Sequence, residues 1–176
     1  MSNNIDLTPC LHKFASEAAL RIGEACALQV GDVDLKRGKA TIQRAYSYHK
    51  LRDITKGRVP REATLSDIAL DIAARNIPGK LPGAFLLTWN GRGYKPEWVR
   101  KLWRKYSGVE NTCEEAMRHS TLSDLADQGA NAYVIQDIAG HKDIRTSQAY
   151  VKSTENRLKD VLNKRARKAD VVVLKK

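Results

Sequence analysis

The sequence predicts a mainly α chain with a small antiparallel β-sheet, an α+β architecture, and three observations carry that expectation. Apolar residues recur at three- and four-residue spacing from Leu11 onward and again from Thr112 to Tyr150, the period of helices packed on a core. Between about residues 32 and 65 the pattern changes to short strand-like runs around the turn Lys36-Arg37-Gly38-Lys39. A chain of 176 residues is long enough for one well-buried core without calling for a second domain.

Leu11, Phe14, Ala15, Ala18, Ala19 and Ile22 form the stripe of a first helix, with Thr8-Pro9 as its cap and first-turn residues. Gly23 is expected to break or kink that helix just after Arg21, turning the guanidinium off its flank. Asp32 to Leu35 and Ala40 to Tyr46 read as two strands of a hairpin. A third strand is expected after the polar stretch His49 to Asp53, carrying Ile54-Thr55-Lys56 and running on to Leu65. Ser66 caps the next helix, which Asn76-Ile77-Pro78-Gly79 closes. Leu81 to Tyr94 reads as a loop around the apolar segment Ala84 to Leu87.

Pro96 opens a helix with the apolar stripe Trp98, Val99, Leu102, Trp103 and Tyr106, and Arg100, Lys101, Arg104 and Lys105 on its other side. That basic face suits a nucleic-acid backbone, and equally a solvated surface. Leu122, Leu125 and Ala126 extend the face begun at Met117, and Gly129-Ala130-Asn131 interrupts it. Val134, Ile135, Ile138 and Ala139 form the following stripe, which Gly140 ends, and Asp143 is placed to cap the helix bearing Tyr150. Ser153 to Lys168 is a charged helical pattern, and Val171 to Leu174 a strand-like tail.

The formal charge of +11 calls for a polyanionic partner, because lysines and arginines gain free energy by displacing counterions from phosphates. Nucleic acid comes first and an acidic membrane surface second. Cys10, Cys26 and Cys113 are odd in number and lack the paired spacing of a zinc site, so they are expected as core residues of a reducing compartment and no metal is expected. Neither a leader-like start nor a run of ~20 apolar residues appears, which leads to the expectation of a soluble, cytoplasmic protein, nucleoid-associated or in a host cell's cytoplasm if viral.

The closing stretch Gly140-His141-Lys142-Asp143-Ile144-Arg145-Thr146-Ser147-Gln148-Ala149-Tyr150 places an imidazole and a phenol on one short helix. A phenol of pKa ~10 is ionised in about one molecule in a thousand at neutral pH, so as a nucleophile it needs cationic neighbours. Arg21 in Leu20-Arg21-Ile22-Gly23-Glu24, Lys56 in Thr55-Lys56-Gly57-Arg58 and Arg118 in Met117-Arg118-His119-Ser120 could supply them. Taken in order, these segments resemble the catalytic motifs of the tyrosine recombinases, the phage integrase family, and the resemblance runs over nearly the whole chain except its tail. Thr55-Lys56 followed by Pro60-Arg61-Glu62 and Leu65-Ser66-Asp67 is similar to the family's lysine-bearing hairpin, which favours Lys56 over Lys50.

The resemblance implies the integrase catalytic-domain fold over residues 1–152 and a tail, 153–176, that docks on a neighbouring subunit. It implies double-stranded DNA as partner, a homotetramer on DNA that is a monomer when free, and no cofactor. Arg21 and Arg118 would hold the scissile phosphate, His141 would hydrogen-bond it, and Lys56 would protonate the leaving 5′-oxygen. Tyr150 would attack and form a 3′-phosphotyrosyl link. The chain departs from the family in carrying Glu115 three residues before Arg118, where a histidine is usual. Glu115 could act as general base, be held protonated, or orient an arginine, the last being the leading reading, and His119 is expected as a packing residue. The family usually has Thr-Gly where Ala18-Ala19 stand, which points to a tighter or more helical turn. Too few residues precede Arg21 for the family's DNA-clamping domain, so weak and poorly discriminating DNA binding is expected of this chain alone. Two other readings stay open. Val134 to Val151 also reads as a helix-turn-helix of a non-catalytic DNA-binding protein, and a type IB topoisomerase uses a similar residue set.

Overall fold

The structure is a computed structural model that describes residues 8–53 and 60–151. The first helix, α1 (Thr8–Glu17), buries Leu11, Phe14, Ala15 and Ala18, as the helical spacing requires. It ends before Arg21, not after it. The amide of Leu20 reaches back to the Ala15 carbonyl and that of Ala19 to Ser16, and Ala19 has φ 48°. This is a Schellman stop with alanine in the left-handed position that glycine usually fills. The turn is therefore left-handed, where a tighter or more helical one was expected. Gly23 does not break a helix. It lies inside α2 (Ile22–Ala25), and a side chain there would put its Cβ 2.8 Å from the Tyr46 carbonyl oxygen.

Five short strands follow: β1 (Val33–Asp34), β2 (Lys39–Ile42), β3 (Arg44–Ser47), β4 (Lys50–Asp53) and β5 (Arg61–Thr64). They make two sheets where the sequence suggested one. An antiparallel sheet of order β1-β2-β5 pairs Val33 with Ala40 and Ala40 with Ala63, and its Ala40, Ile42 and Ala63 enter the core. The expected single strand from Ala40 to Tyr46 divides at Gln43, whose side-chain amide donates to Asp32. Arg44 also binds Asp32. Beyond that point β3 pairs with β4, Tyr46 opposite Leu51, as a separate hairpin. β4 is exposed throughout, so no apolar alternation announced it. The expected strand through Ile54-Thr55-Lys56 lies outside the described residues.

Helix α3 (Asp67–Asn76) starts where Ser66 accepts a hydrogen bond from the Ala69 amide at 3.2 Å. The stretch read as a loop holds a small hairpin, β6 (Thr88–Trp89) and β7 (Arg92–Gly93). Its turn is Asn90-Gly91, both at positive φ, the geometry that two-residue hairpins favour. Helix α4 (Pro96–Tyr106) packs Trp98, Val99 and Trp103 on the core. Its stripe ends there, since Tyr106 is 65% exposed and carries the Lys105 ammonium over its ring.

A π-helical turn, Glu115–His119, leads into α5 (Ser120–Asp127). Asn131 caps α6 (Ala132–Ala139), and Asp143 caps α7 (Ile144–Gln148), with Tyr150 just past its end. Two apolar clusters result. The larger joins α1, α2, β2 and α4 through Phe14, Ile22, Ile42 and Val99. The smaller joins Ala19 to Leu122, Ala126, Ile135 and Ala139, with Tyr150 and Val151 against it. Among the described residues no helix is long and apolar enough to cross a membrane.

Candidate active site

Arg21 stands at the N-cap of α2, with extended backbone at φ −69° and ψ 145°. Glu24, three residues on, is buried. Its carboxylate accepts the Arg21 amide at 3.0 Å and the Arg21 guanidinium at 3.2 Å. The same carboxylate accepts Arg61 Nη2 at 2.9 Å. Two guanidiniums thus share one buried anion, the compensation a buried carboxylate requires. Arg21 keeps about half of its side chain exposed, so donors remain free to meet a ligand.

Arg118 lies in the π-helical turn and is buried. Its Nη1 donates to the Ala19 carbonyl and its Nη2 to the Ala139 carbonyl, both at 2.5 Å. Desolvation, reinforced by Arg21, brings its pKa down to about 10, and it stays cationic at neutral pH.

Gly140 ends α6 at φ 63°. Glycine suits this left-handed backbone, and a Cβ there would also crowd the Arg61 side chain, 2.4 Å from its Cδ. His141 follows, with Nδ1 sharing a 2.9 Å hydrogen bond with the hydroxyl of fully buried Ser147. Burial, then the charges of Arg118, Arg21 and Arg61, lower its pKa to about 4. The ring is neutral at pH 7. It stacks on Tyr150 with centroids 6.1 Å apart and planes 13° apart. The Tyr150 hydroxyl shares a 2.5 Å hydrogen bond with His119 Nδ1, whose ring also stacks on the phenol at 5.8 Å. Burial raises the Tyr150 pKa against the opposing pull of Arg118 and Arg21, so the phenol is protonated at rest.

Arg21, Arg118, and the His141 and Tyr150 of the closing stretch, drawn from three separate parts of the sequence, line one cleft of about 630 Å³. Lys56 lies outside the described residues. Glu115 does not join them. Its carboxylate accepts the Thr112 amide at 2.8 Å while the Thr112 hydroxyl accepts the Glu115 amide, a reciprocal capping box in Thr112-Cys113-Glu114-Glu115. It touches no arginine of the cleft, and Glu24 does the arginine-orienting instead. His119 is exposed and meets the phenol, which corrects its reading as a packing residue. On α4, Arg100 lines the cleft and is bound to Glu114 at 2.7 Å. Lys101, Arg104 and Lys105 lie on the same helix, Lys101, Arg104 and Lys105 all exposed.

Sequence reasoning missed Glu24, Arg61, Ser147 and His119. Only Glu24 carried a usable signal, its capping spacing of three from Arg21. The contacts of Arg61 and His119 bridge segments and have no local signature, while Ser147 meets His141 from six residues further along the same stretch. Among the described residues no group of three or more histidines, cysteines or carboxylates converges as metal ligands. What the cleft offers is two fixed guanidiniums, a neutral imidazole and a phenol. That set receives a tetrahedral oxyanion with several acceptor oxygens and presents an oxygen nucleophile to it.

The sequence model of the phage integrase family matches residues 6–157. The tyrosine recombinase XerC of Halalkalibacterium halodurans is 28% identical over 160 residues, covering 82% of this chain and 49% of the relative. The tyrosine recombinase XerA of Thermococcus kodakarensis is 28% identical over 155 residues, covering 84% and 51%. The chain thus spans about half the length of these relatives. Among solved structures, the Tn1549 transposon integrase in complex with circular intermediate DNA superposes with a TM-score of 0.71 at 19% identity, over 93% of this chain and 61% of that one. The XerA recombinase crystal structure gives 0.64 at 18% identity, over 94% and 62%.

Proposed function

The chain belongs to the phage integrase family, and from that premise we propose that it is a site-specific recombinase that cuts and rejoins double-stranded DNA through a 3′-phosphotyrosyl intermediate. The observation that carries this reading is the convergence of Arg21, Arg118, His141 and Tyr150 on one cleft. Arg21 presents its free donors to the non-bridging oxygens of the phosphate. Arg118, locked by two carbonyls, supplies positive charge that does not reorganise as charge builds on those oxygens. His141, neutral and fixed by Ser147, donates through its second ring nitrogen. Tyr150 attacks phosphorus, and the 5′-oxygen leaves with a proton from Lys56. Because the ester linkage is conserved in the enzyme adduct, rejoining needs no external energy source.

The Tn1549 integrase similar to this chain was solved with DNA, which supports DNA as the partner, and the +11 charge supports it independently. In this reading residues 1–152 are the catalytic domain, Arg100, Lys101, Arg104 and Lys105 track the DNA backbone, and the tail 153–176 joins four protomers at the DNA in the cytoplasm.

The test uses a nicked duplex that loses a short 5′-fragment once cleaved, trapping the adduct. A random-sequence pool serves as the first substrate, and captured members are then resynthesised singly. A protein–DNA adduct that survives denaturation and disappears in Tyr150→Phe is the expected result. Absence of any adduct from folded wild-type protein would refute the proposal, and relaxation of plasmids without exchange between two sites would replace it with a topoisomerase.

A further inference from the structure

We propose that His119 is the general base that takes the phenolic proton of Tyr150 as the phenol attacks. The inference rests on the cleavage reading above and adds to it the group that the reading leaves unassigned.

A neutral phenol is a poor nucleophile, so its proton must leave as the oxygen–phosphorus bond forms. Proton acceptors can be sorted by what already occupies them. His141 has its Nδ1 bound to Ser147, which leaves its other ring nitrogen for the phosphate. Glu24 is taken by Arg21 and Arg61. Glu115 is taken by the Thr112 amide, and Glu114 by Arg100. His119 Nδ1 lies 2.5 Å from the hydroxyl oxygen, within the reach a base needs.

The backbone explains why this histidine can be there. Arg118 and His119 are consecutive, yet both line the cleft. They sit in the π-helical turn Glu115–His119, where one extra residue widens the helix and re-aims its side chains. Arg118 is buried in that turn and His119 exposed, so the first holds charge and the second can exchange a proton with water.

The step balances without any co-reactant. The Tyr150 oxygen forms its bond to phosphorus and its proton passes to His119 Nδ1, giving an imidazolium with the other proton on Nε2. The bond from phosphorus to the 5′-oxygen breaks, and that oxygen leaves with a proton from Lys56. On rejoining, the imidazolium returns its proton to the departing phenolate.

The groups facing His119 are Tyr150 beyond α7, His141 before it, Arg21 ahead of α2, Arg100 on α4, and Glu114, Glu115 and Arg118 on its own helix segment. Burial and the neighbouring arginines lower the His141 pKa to about 4, so His141 stays neutral over most of the pH range of the experiment.

The experiment measures single-turnover adduct formation on the resynthesised nicked duplex from pH 5 to 9, for wild type, His119→Gln and His119→Ala. Loss of the base is expected to slow adduct formation by ~10²-fold or more. The acid limb seen in wild type should vanish in both variants, and added imidazole should restore rate to His119→Ala. A readout free of catalysis accompanies it: the ¹⁵N shift of the His119 Nδ1 should move in Tyr150→Phe. Wild-type adduct with His119→Gln within about threefold of it and the same acid limb would overturn the assignment. An unmoved ¹⁵N shift would overturn it too. If wild type forms no adduct at all, the cleavage reading itself fails and this step goes with it.

Discussion

Arg118 Nη1 donates to the carbonyl oxygen of Ala19, a residue 99 positions earlier in the chain, at 2.5 Å. The Ala19 carbonyl is available because the left-handed turn at φ 48° ends α1 there. With Nη2 on Ala139, one guanidinium ties α1, the π-helical turn and α6 together. Arg118→Lys keeps the charge but cannot span both carbonyls. It should cost about 1–3 kcal/mol, the penalty of a buried acceptor left unpaired, and slow adduct formation by ~10²-fold or more. Urea unfolding and single-turnover cleavage measure the two effects, and unchanged stability would contradict the anchoring role.

Glu24 holds Arg21 and Arg61 on one buried carboxylate. Glu24→Gln removes the anion and leaves both cations facing each other. The expected loss is roughly 2 kcal/mol, below the usual figure for a wholly buried pair because Arg21 is half-exposed. Arg21 should also bind phosphate less well, so adduct formation should saturate at higher DNA concentration. A stability equal to wild type would show that Glu24 does not carry the pair.

His141 gives stability a pH dependence of known sign. Its folded pKa, about 4, lies below its ordinary value of 6.5, so between those values the unfolded chain binds more protons. Stability is fully present above the upper value and declines as pH falls through the window. His141→Gln should flatten the curve there relative to wild type. Urea unfolding at pH 4.5, 5.5 and 7 measures the difference, and parallel curves would contradict it.

Glu115 caps its helix, and its carboxylate is engaged by the Thr112 amide and not by the phenol. Glu115→Gln preserves a capping box, since glutamine serves at that position. Cleavage should stay near the wild-type rate, and Glu115→Ala should lower the melting temperature slightly. A collapse of cleavage in Glu115→Gln would return this residue to the chemistry.

The exposed face of α4 tests the nucleic-acid surface. Lys101→Glu combined with Arg104→Glu should weaken DNA binding at low salt. It should also make the slope of log K against log salt shallower by about 2, close to one for each phosphate the protein no longer neutralises. Equilibrium binding at several salt concentrations reads both, and an unaltered slope would remove α4 from the interface.

Much of the molecule was legible because its signals are local. Ser66, Asn131, Gly140 and Asp143 each mark a helix end by their own chemistry, and each does so in the structure. The helical stripes were readable for the same reason. The strands were not. β4 has no buried face, and β3 leaves the first sheet at Gln43 because Asp32 draws Gln43 and Arg44 to itself. Asn90-Gly91 does carry a local hairpin signal, but the strands it joins are two residues each, too short to show an alternating pattern.

By itself the sequence determined which chemical groups are present and in what order: the arginines, the imidazoles and the phenol, set beside helix signals that hydrogen bonds three or four residues apart enforce. Only the tertiary structure decided which groups meet. Whether Arg61 joins Arg21 on Glu24, and whether His119 or His141 reaches the Tyr150 hydroxyl, depends on contacts between segments far apart in the chain. Such contacts are set by how α1, the π-helical turn and α6 pack around Arg118, and no spacing within a single segment encodes them.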